Sequence, residues 1–410
     1  MNDIVALHRA EYGREPEVTA SAPGVAHLLG EHIEDAGFPT LSMATHMSVH
    51  VAMSRRKDLS LRFFAPDIGE RRRTGVSSIK PRDEDRWANV PKGIIAFVLS
   101  RGHRMKGVDI TIAGDIPRER GLGASSAVCV ATALAMERLL DLPRGSIDPV
   151  AASAYAKSRY GRLPVSDSDA TVSAFSRPGF PVLYRVGQRD FQELPGLDAP
   201  YQFVLTDSGL EPERLDEEER DVYGHVLQGC ADGDDDDEAE EDEEHKSSPG
   251  PWTVSPTERR RVPISNSKDA KEEFSDTLEL LDTMARRTCQ HVMGELERIE
   301  HAVEALRSGD TAALGKTLFR SQESLRDLLE VSCPELDWLV KRAVEVPGVT
   351  GSRLSGPGLG GFTVTLLTPD SAADYGERLE EYERIFGFKP QQIVLREGPG
   401  ATVHEKLKKE

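Results

Sequence analysis

The sequence has few cysteines, no surplus of basic charge and no long apolar run, and each lack excludes something. Four cysteines stand in 410 residues, Cys129, Cys230, Cys289 and Cys333, with no CxxC pair among them. That excludes a disulfide scaffold and a zinc ribbon, and it predicts reduced thiols in a cytoplasmic protein. Lys and Arg number 51 against 70 Asp and Glu, a formal net charge of -19. A nucleic-acid binder draws most of its affinity from clustered basic residues, so that class is set aside. The longest apolar runs, such as Ile94 to Leu99, are far shorter than the ~18–20 residues that span a membrane. Met1-Asn2-Asp3-Ile4 shows no basic stretch leading into an apolar one, so no signal peptide is expected. The eleven histidines form no evident metal cluster.

What is present is mixed and globular, with one exception. Between Asp232 and Glu244 lie eleven acidic residues and no basic one, and Ser247-Ser248-Pro249-Gly250-Pro251 follows. Like charges at that density repel and nothing larger than Ala239 is available to bury, so residues 231–251 are expected to be a disordered insertion. Its plainer reading is a solvated loop, its sharper one a docking site for a basic protein partner. Elsewhere, residues 41–52 and Val108 to Ile112 read as strands, as does Thr363 to Leu367. Ala124 to Leu140 is small, apolar and free of Gly and Pro, which predicts a buried helix. Val292, Leu296, Ile299, Val303 and Leu306 recur at helical spacing, and Ser308-Gly309-Asp310 ends that helix.

Three segments carry chemistry. In the first, Gly121-Leu122-Gly123 leads into Ala124-Ser125-Ser126 at the start of the buried helix. Glycine lets the backbone approach a phosphate, the first helical N–H groups point at the anion, and a serine hydroxyl reaches a phosphate oxygen or a metal. The second, Gly351 to Gly361, holds five glycines in eleven residues, including Gly356, Gly358, Gly360 and Gly361, and reads as a loop pressed against something. The third, Ala22 to Asp35, gathers Glu31, His32, Glu34 and Asp35, groups able to hydrogen-bond the hydroxyls of a sugar.

Together and in this order the three segments resemble the GHMP kinases, and within them the galactokinases. The segment from Gly24 to Asp35 resembles the galactokinase signature Gly-Arg-x-Asn-Leu-Ile-Gly-Glu-His-Thr-Asp. Trp87-Ala88-Asn89 with Lys92-Gly93 is similar to the segment near the adenine pocket. Leu325-Arg326-Asp327 with Glu330 to Asp337 is similar to the galactokinase C-terminal domain, and Tyr223 and Cys230 keep a Tyr-x6-Cys spacing. The resemblance implies an α/β (α+β) chain with a two-domain GHMP kinase fold. Residues 1–180 would form a domain like the second domain of ribosomal protein S5, and residues 181–410 a ferredoxin-like domain. It implies ATP as phosphoryl donor, Mg²⁺ as its metal, and transfer to the anomeric hydroxyl of galactose or a related sugar.

Carried over residue by residue, the resemblance assigns Asp169 as the base or orienting group. It assigns Glu31, His32, Glu34 and Tyr223 to the sugar. Trp87 and Gly121, Leu122, Gly123, Ala124, Ser125 and Ser126 go to the nucleotide, and Ser125 to the metal. Three positions depart from the pattern. Val25 stands where the signature arginine pairs with the catalytic Asp, Glu119 stands at the first glycine of the phosphate loop, and Lys157 stands at the Glu that helps hold Mg²⁺. Two readings follow. One is a sugar kinase with weakened catalysis, in which Arg118, Arg120, Arg159 or Arg162 substitutes for the lost arginine. The other is an inactive homologue that senses sugar or nucleotide.

Overall fold

The structure, a computed structural model, describes residues 4–163, 165–197, 200–212 and 283–405. Tyr223, Cys230 and the acidic run of residues 231–251 lie outside them. Two long strands set the frame. β1 (Val18–Leu29) and β2 (Thr40–Arg55) pair antiparallel along most of their length. The second half of β2 pairs with β5 (Val108–Gly114), and the sheet continues through β3 (Ser60–Ala65) to β4 (Glu70–Gly75). The first half of β2 pairs instead with β6 (Pro181–Arg185), which pairs with β7 (Asp190–Glu193). β12 (Thr402–Glu405), near the other end of the chain, closes on β1. The first sheet therefore takes strands from both sides of residue 180. β2 is long enough to hold its two partners, β5 and β6, end to end.

Helix α1 (Ile4–Tyr12) lies on this sheet and buries His8 between the hydroxyls of Thr111 and Ser54. Helix α2 (Asn89–Ser100) precedes β5. Helix α3 (Ala124–Leu139) is buried on nearly every side, packed on β1 and β2 and against α2 and α4 (Pro149–Ala156). A helix apolar all round belongs in such a place. One wide turn, Lys157–Gly161, extends α4, and α5 (Asp167–Phe175) follows.

The second sheet runs β11 (Gln391–Val394), β8 (Gln202–Asp207), β10 (Phe362–Leu367), β9 (Val349–Ser355), all antiparallel. The remaining α-helices among the described residues are α6 (Thr283–Ser308), α7 (Thr311–Asp327), α8 (Pro334–Val344) and α9 (Pro369–Phe386). α7 packs on β9 at close range: a Cβ on Gly351 would sit 2.0 Å from the Gly315 carbonyl oxygen. β9 also corrects the reading of residues 351–361 as one loop. Residues up to Ser355 are strand, and only 356–361 form the turn into β10. Leu28 and Ile33 of the first half share one continuous core with Leu296, Ile299, Phe362 and Val364 of the second. No helix among the described residues is long and apolar enough to cross a membrane. Cys129 and Cys333 are free thiols.

Candidate active site

Five pieces of chain converge at one end of the first sheet: the end of β1 with its following loop, the start of α3, the start of α5, the turn after β9, and the middle of α6. Asp169 stands in the first turn of α5, where the Ser166 hydroxyl accepts from its backbone N–H at 2.9 Å and caps the helix. Its carboxylate has two partners. His27 Nε2 lies 3.0 Å from Oδ1, and the Ser126 hydroxyl donates to Oδ2 at 3.5 Å. Lys157, buried in the wide turn after α4, donates from Nζ to Ser126 Oγ at 3.2 Å. Burial works against ionising Asp169, yet the hydrogen bond and charge of His27, the charge of Lys157 and the Ser126 hydroxyl outweigh it and hold the carboxyl below its ordinary value.

The phosphate-loop glycines occupy the entrance to α3. Gly121 and Gly123 have φ of 83° and 63°, the left-handed region in which glycine is at ease. A Cβ on Gly121 would meet Gly356 Cα at 2.5 Å and Pro357 Cδ at 2.6 Å. The C-terminal glycine turn is thus pressed against the phosphate loop, and Gly356 approaches Gly121 backbone to backbone. Gly358, Gly360 and Gly361 carry that turn along Val331, Glu211 and Arg120. Leu122 is buried, while Ala124 and Ser125 are half-buried at the helix start and Ser126 points inward at Asp169. Glu119 is exposed, with φ of 58°. Trp87 donates its indole N–H to Glu70 at 2.9 Å. Its segment is braced by Lys92, which is buried against Asp85 at 2.6 Å.

The sugar candidates line the loop after β1. Glu31 is buried, receives the Gly356 backbone N–H and faces Arg353 Nη2 at 3.4 Å. Burial raises its carboxyl to about 7, with His27 and Arg353 limiting the rise. His32 adopts a left-handed φ of 73°. Burial, then the charge of Arg353, lowers it to about 3, so its ring is neutral and can both donate and accept. Glu34 opens the short helical turn Glu34–Ala36 beside them.

Behind this loop lies a group of residues that the sequence reading missed. Arg353 is fully buried, donates to the Leu28 carbonyl at 3.0 Å, and lies 3.5 Å from Glu295 of α6. Glu295 accepts from Gly30 N–H and from the Ser321 hydroxyl, each at 3.0 Å, and from Arg298 at 2.7 Å. The helical pattern in which Glu295 lies announced an apolar face, not a buried carboxylate.

Val25 is fully buried and lies beside Asp169: a Cβ on Gly123 would be 3.3 Å from Val25 Cβ and 3.4 Å from Asp169 Cγ. At this position, which the resemblance gives to the signature arginine, valine places no charge near Asp169. The expected substitutes are engaged elsewhere. Arg120 holds Asp207 at 3.0 Å and the Leu210 carbonyl, Arg118 lies 3.7 Å from Asp67, Arg159 covers the Tyr155 ring and Arg162 reaches Asp83. Lys157, not a carboxylate, is the charged side chain that reaches Ser126 from the turn after α4. The resemblance gives this position to a Mg²⁺-binding Glu, and among the described residues no group of three or more His, Cys, Asp or Glu is arranged as a metal cluster.

Three family models match in chain order: the galactokinase galactose-binding signature over residues 6–55, the GHMP kinases N terminal domain over 89–177 and the GHMP kinases C terminal over 302–384. Human galactokinase is 30% identical over 388 residues, which cover 91% of this chain and 90% of that protein. The chain belongs to the galactokinase family of GHMP kinases. A Treponema pallidum (strain Nichols) protein, provisionally named galactokinase, is 36% identical over 412 residues, or 98% of this chain and 96% of that one. The crystal structure of Lactococcus lactis galactokinase complexed with galactose superposes with a TM-score of 0.81 at 20% identity, covering 97% of this chain and 98% of that one. The fold is accordingly the two-domain GHMP kinase fold, with a ribosomal-S5-domain-2-like N-terminal part and a ferredoxin-like C-terminal part.

Proposed function

We propose that this member of the family is an ATP-dependent kinase that phosphorylates galactose, or a closely related sugar, at the anomeric hydroxyl. One observation carries the reading: an ionised carboxylate, Asp169, lies between a glycine-lined helix start and the Glu31–His32–Glu34 loop. Phosphoryl transfer asks mainly for position and charge neutralisation. The N–H groups entering α3 suit the phosphates of ATP. Asp169 would accept or orient the proton of the attacking hydroxyl. Glu31, titrating near neutrality, and neutral His32 offer both donors and acceptors to the remaining hydroxyls. Val25, Glu119 and Lys157 were the grounds for expecting weak or absent catalysis. Two cationic side chains, His27 and Lys157, act on Asp169, which favours the active reading over the sensor.

The test is ADP formation by purified protein with and without galactose, in wild type and Asp169→Asn. Galactose-dependent ADP formation that falls ~10²–10⁴-fold in the variant is expected. ATP consumption indifferent to every hexose offered, or unaffected by the variant, would refute the reading.

A further inference from the structure

We propose that His27 takes the place of the signature arginine: its ring carries the positive charge that keeps Asp169 ionised and aimed at the sugar hydroxyl. The inference rests on the kinase reading above. Between the irregularities of β1 the register with β2 is unbroken, Val25 opposite Ala44, Ala26 opposite Met43 and His27 opposite Ser42. Residues 25 and 27 therefore project from the same face of the strand. An arginine at 25 would start beside Asp169. A valine there supplies no charge, and the next side chain on that face reaches the carboxylate directly, Nε2 to Oδ1 at 3.0 Å. The other ring nitrogen is held as well, Nδ1 lying 2.9 Å from Ser42 Oγ. With both nitrogens protonated the ring donates twice and its orientation is fixed at both ends.

The groups around the ring settle its charge. Asp169 faces it from α5, and Glu31 and Glu34 act on it from the loop after β1. The opposing charges are more remote: Lys157 reaches Asp169 through Ser126, and Arg353 is spent on Glu31 and Glu295. His32, in the same loop, is held neutral. Burial opposes protonation of His27, but the Asp169 hydrogen bond and the three carboxylates prevail and raise it to about 9. An arginine never deprotonates in a protein, whereas histidine does. The replacement consequently leaves a signature that the arginine pair lacks, an alkaline limb in the rate profile.

As a positioning residue His27 is tested by separating its charge from its hydrogen bond. His27→Gln keeps an N–H donor for Asp169 without the charge, and His27→Asn with Val25→Arg writes the family pair back into the strand. kcat, KM for galactose and their pH dependence are measured, with galactose affinity by calorimetry. We expect kcat in His27→Gln to fall ~10²-fold, the scale of losing one aimed electrostatic group, with galactose affinity within threefold of wild type. The wild-type alkaline limb near pH 9 should vanish in the same variant. Val25→Arg should recover at least tenfold over His27→Asn alone. A His27→Gln kcat within threefold of wild type with the limb intact would overturn the proposal. Ring ¹⁵N resonances of the wild-type protein give a reading that needs no variant to fold: a charged His27 ring at pH 7.5 supports the proposal, and a neutral one overturns it. Wild type inactive on every hexose would fell the kinase reading and the role of His27 with it, whereas an active wild type with an indifferent His27→Gln fells His27 alone.

Discussion

Lys157 Nζ lies 3.2 Å from Ser126 Oγ, and Ser126 in turn reaches Asp169, so a buried ammonium stands one hydroxyl away from the Asp169 carboxylate. The resemblance gives this position to a Mg²⁺-binding glutamate, and a carboxylate with its metal would carry a local charge of about +1. An ammonium supplies the same charge alone and binds phosphate as a point charge. Nucleotide binding is therefore expected to depend little on magnesium. Calorimetry with ATP should give affinities within about threefold in excess Mg²⁺ and in EDTA. Lys157→Glu should make binding metal-dependent by tenfold or more, and Lys157→Met should weaken it in both conditions. A wild-type affinity that collapses on chelation contradicts the charge-replacement argument.

Much of this was legible along the chain because the carriers are local. The glycines before α3, the Glu31–His32 pair and the apolar helix from Ala124 each declare themselves within a dozen residues. Val25 was legible as a loss. The compensation by His27 was not, although it stands two residues away, because reading it requires knowing that β1 keeps its register between its two irregularities and that α5 brings Asp169 to that face. Glu295 and Arg353 were illegible for a different reason. Their partners, Gly30, Leu28 and Glu31, lie 265 to 325 residues away in sequence, and a charged residue on an amphipathic helix is ordinarily solvated.

That buried pair sets the second prediction. Arg353 and Glu295 are both fully buried, and removing one partner strands the other's charge at a cost of about 3–5 kcal/mol. Arg353→Met should lose about that much in denaturant unfolding. Burial opposes ionisation of Glu295, but Arg353, His291 and Arg298 together with the Gly30 N–H hold its carboxyl at about 2, against an ordinary 4.5. A depressed carboxyl contributes stability that is complete above its unfolded value and is lost as pH falls through its folded value. The difference between wild type and Glu295→Gln should accordingly be constant above about pH 5 and shrink between 4.5 and 2. A difference that stays flat across that window would show that Glu295 is not held ionised by these partners.

The contact between the two glycine turns gives the last prediction. Gly121 has φ of 83°, and a methyl group there would lie 2.5 Å from Gly356 Cα and 2.6 Å from Pro357 Cδ, both parts of a constrained turn that cannot simply swing aside. Alanine at 121 meets two separate costs. Its left-handed backbone costs about 1–2 kcal/mol, and forcing two packed segments apart costs roughly 1–3 kcal/mol more. Gly121→Ala should therefore destabilise the protein by about 2–5 kcal/mol. It should also displace the turn whose Gly356 N–H reaches Glu31, so nucleotide and galactose affinities should both fall, although residue 121 itself stands at the proposed phosphate loop. Gly145→Ala is the control: its φ is also positive, at 82°, but no atom lies within 4 Å of the added methyl. It should show the backbone cost alone, with ligand affinities unchanged. Equal losses in the two variants, or a Gly121→Ala protein that binds nucleotide but keeps full galactose affinity, would mean that the two turns are not mechanically joined.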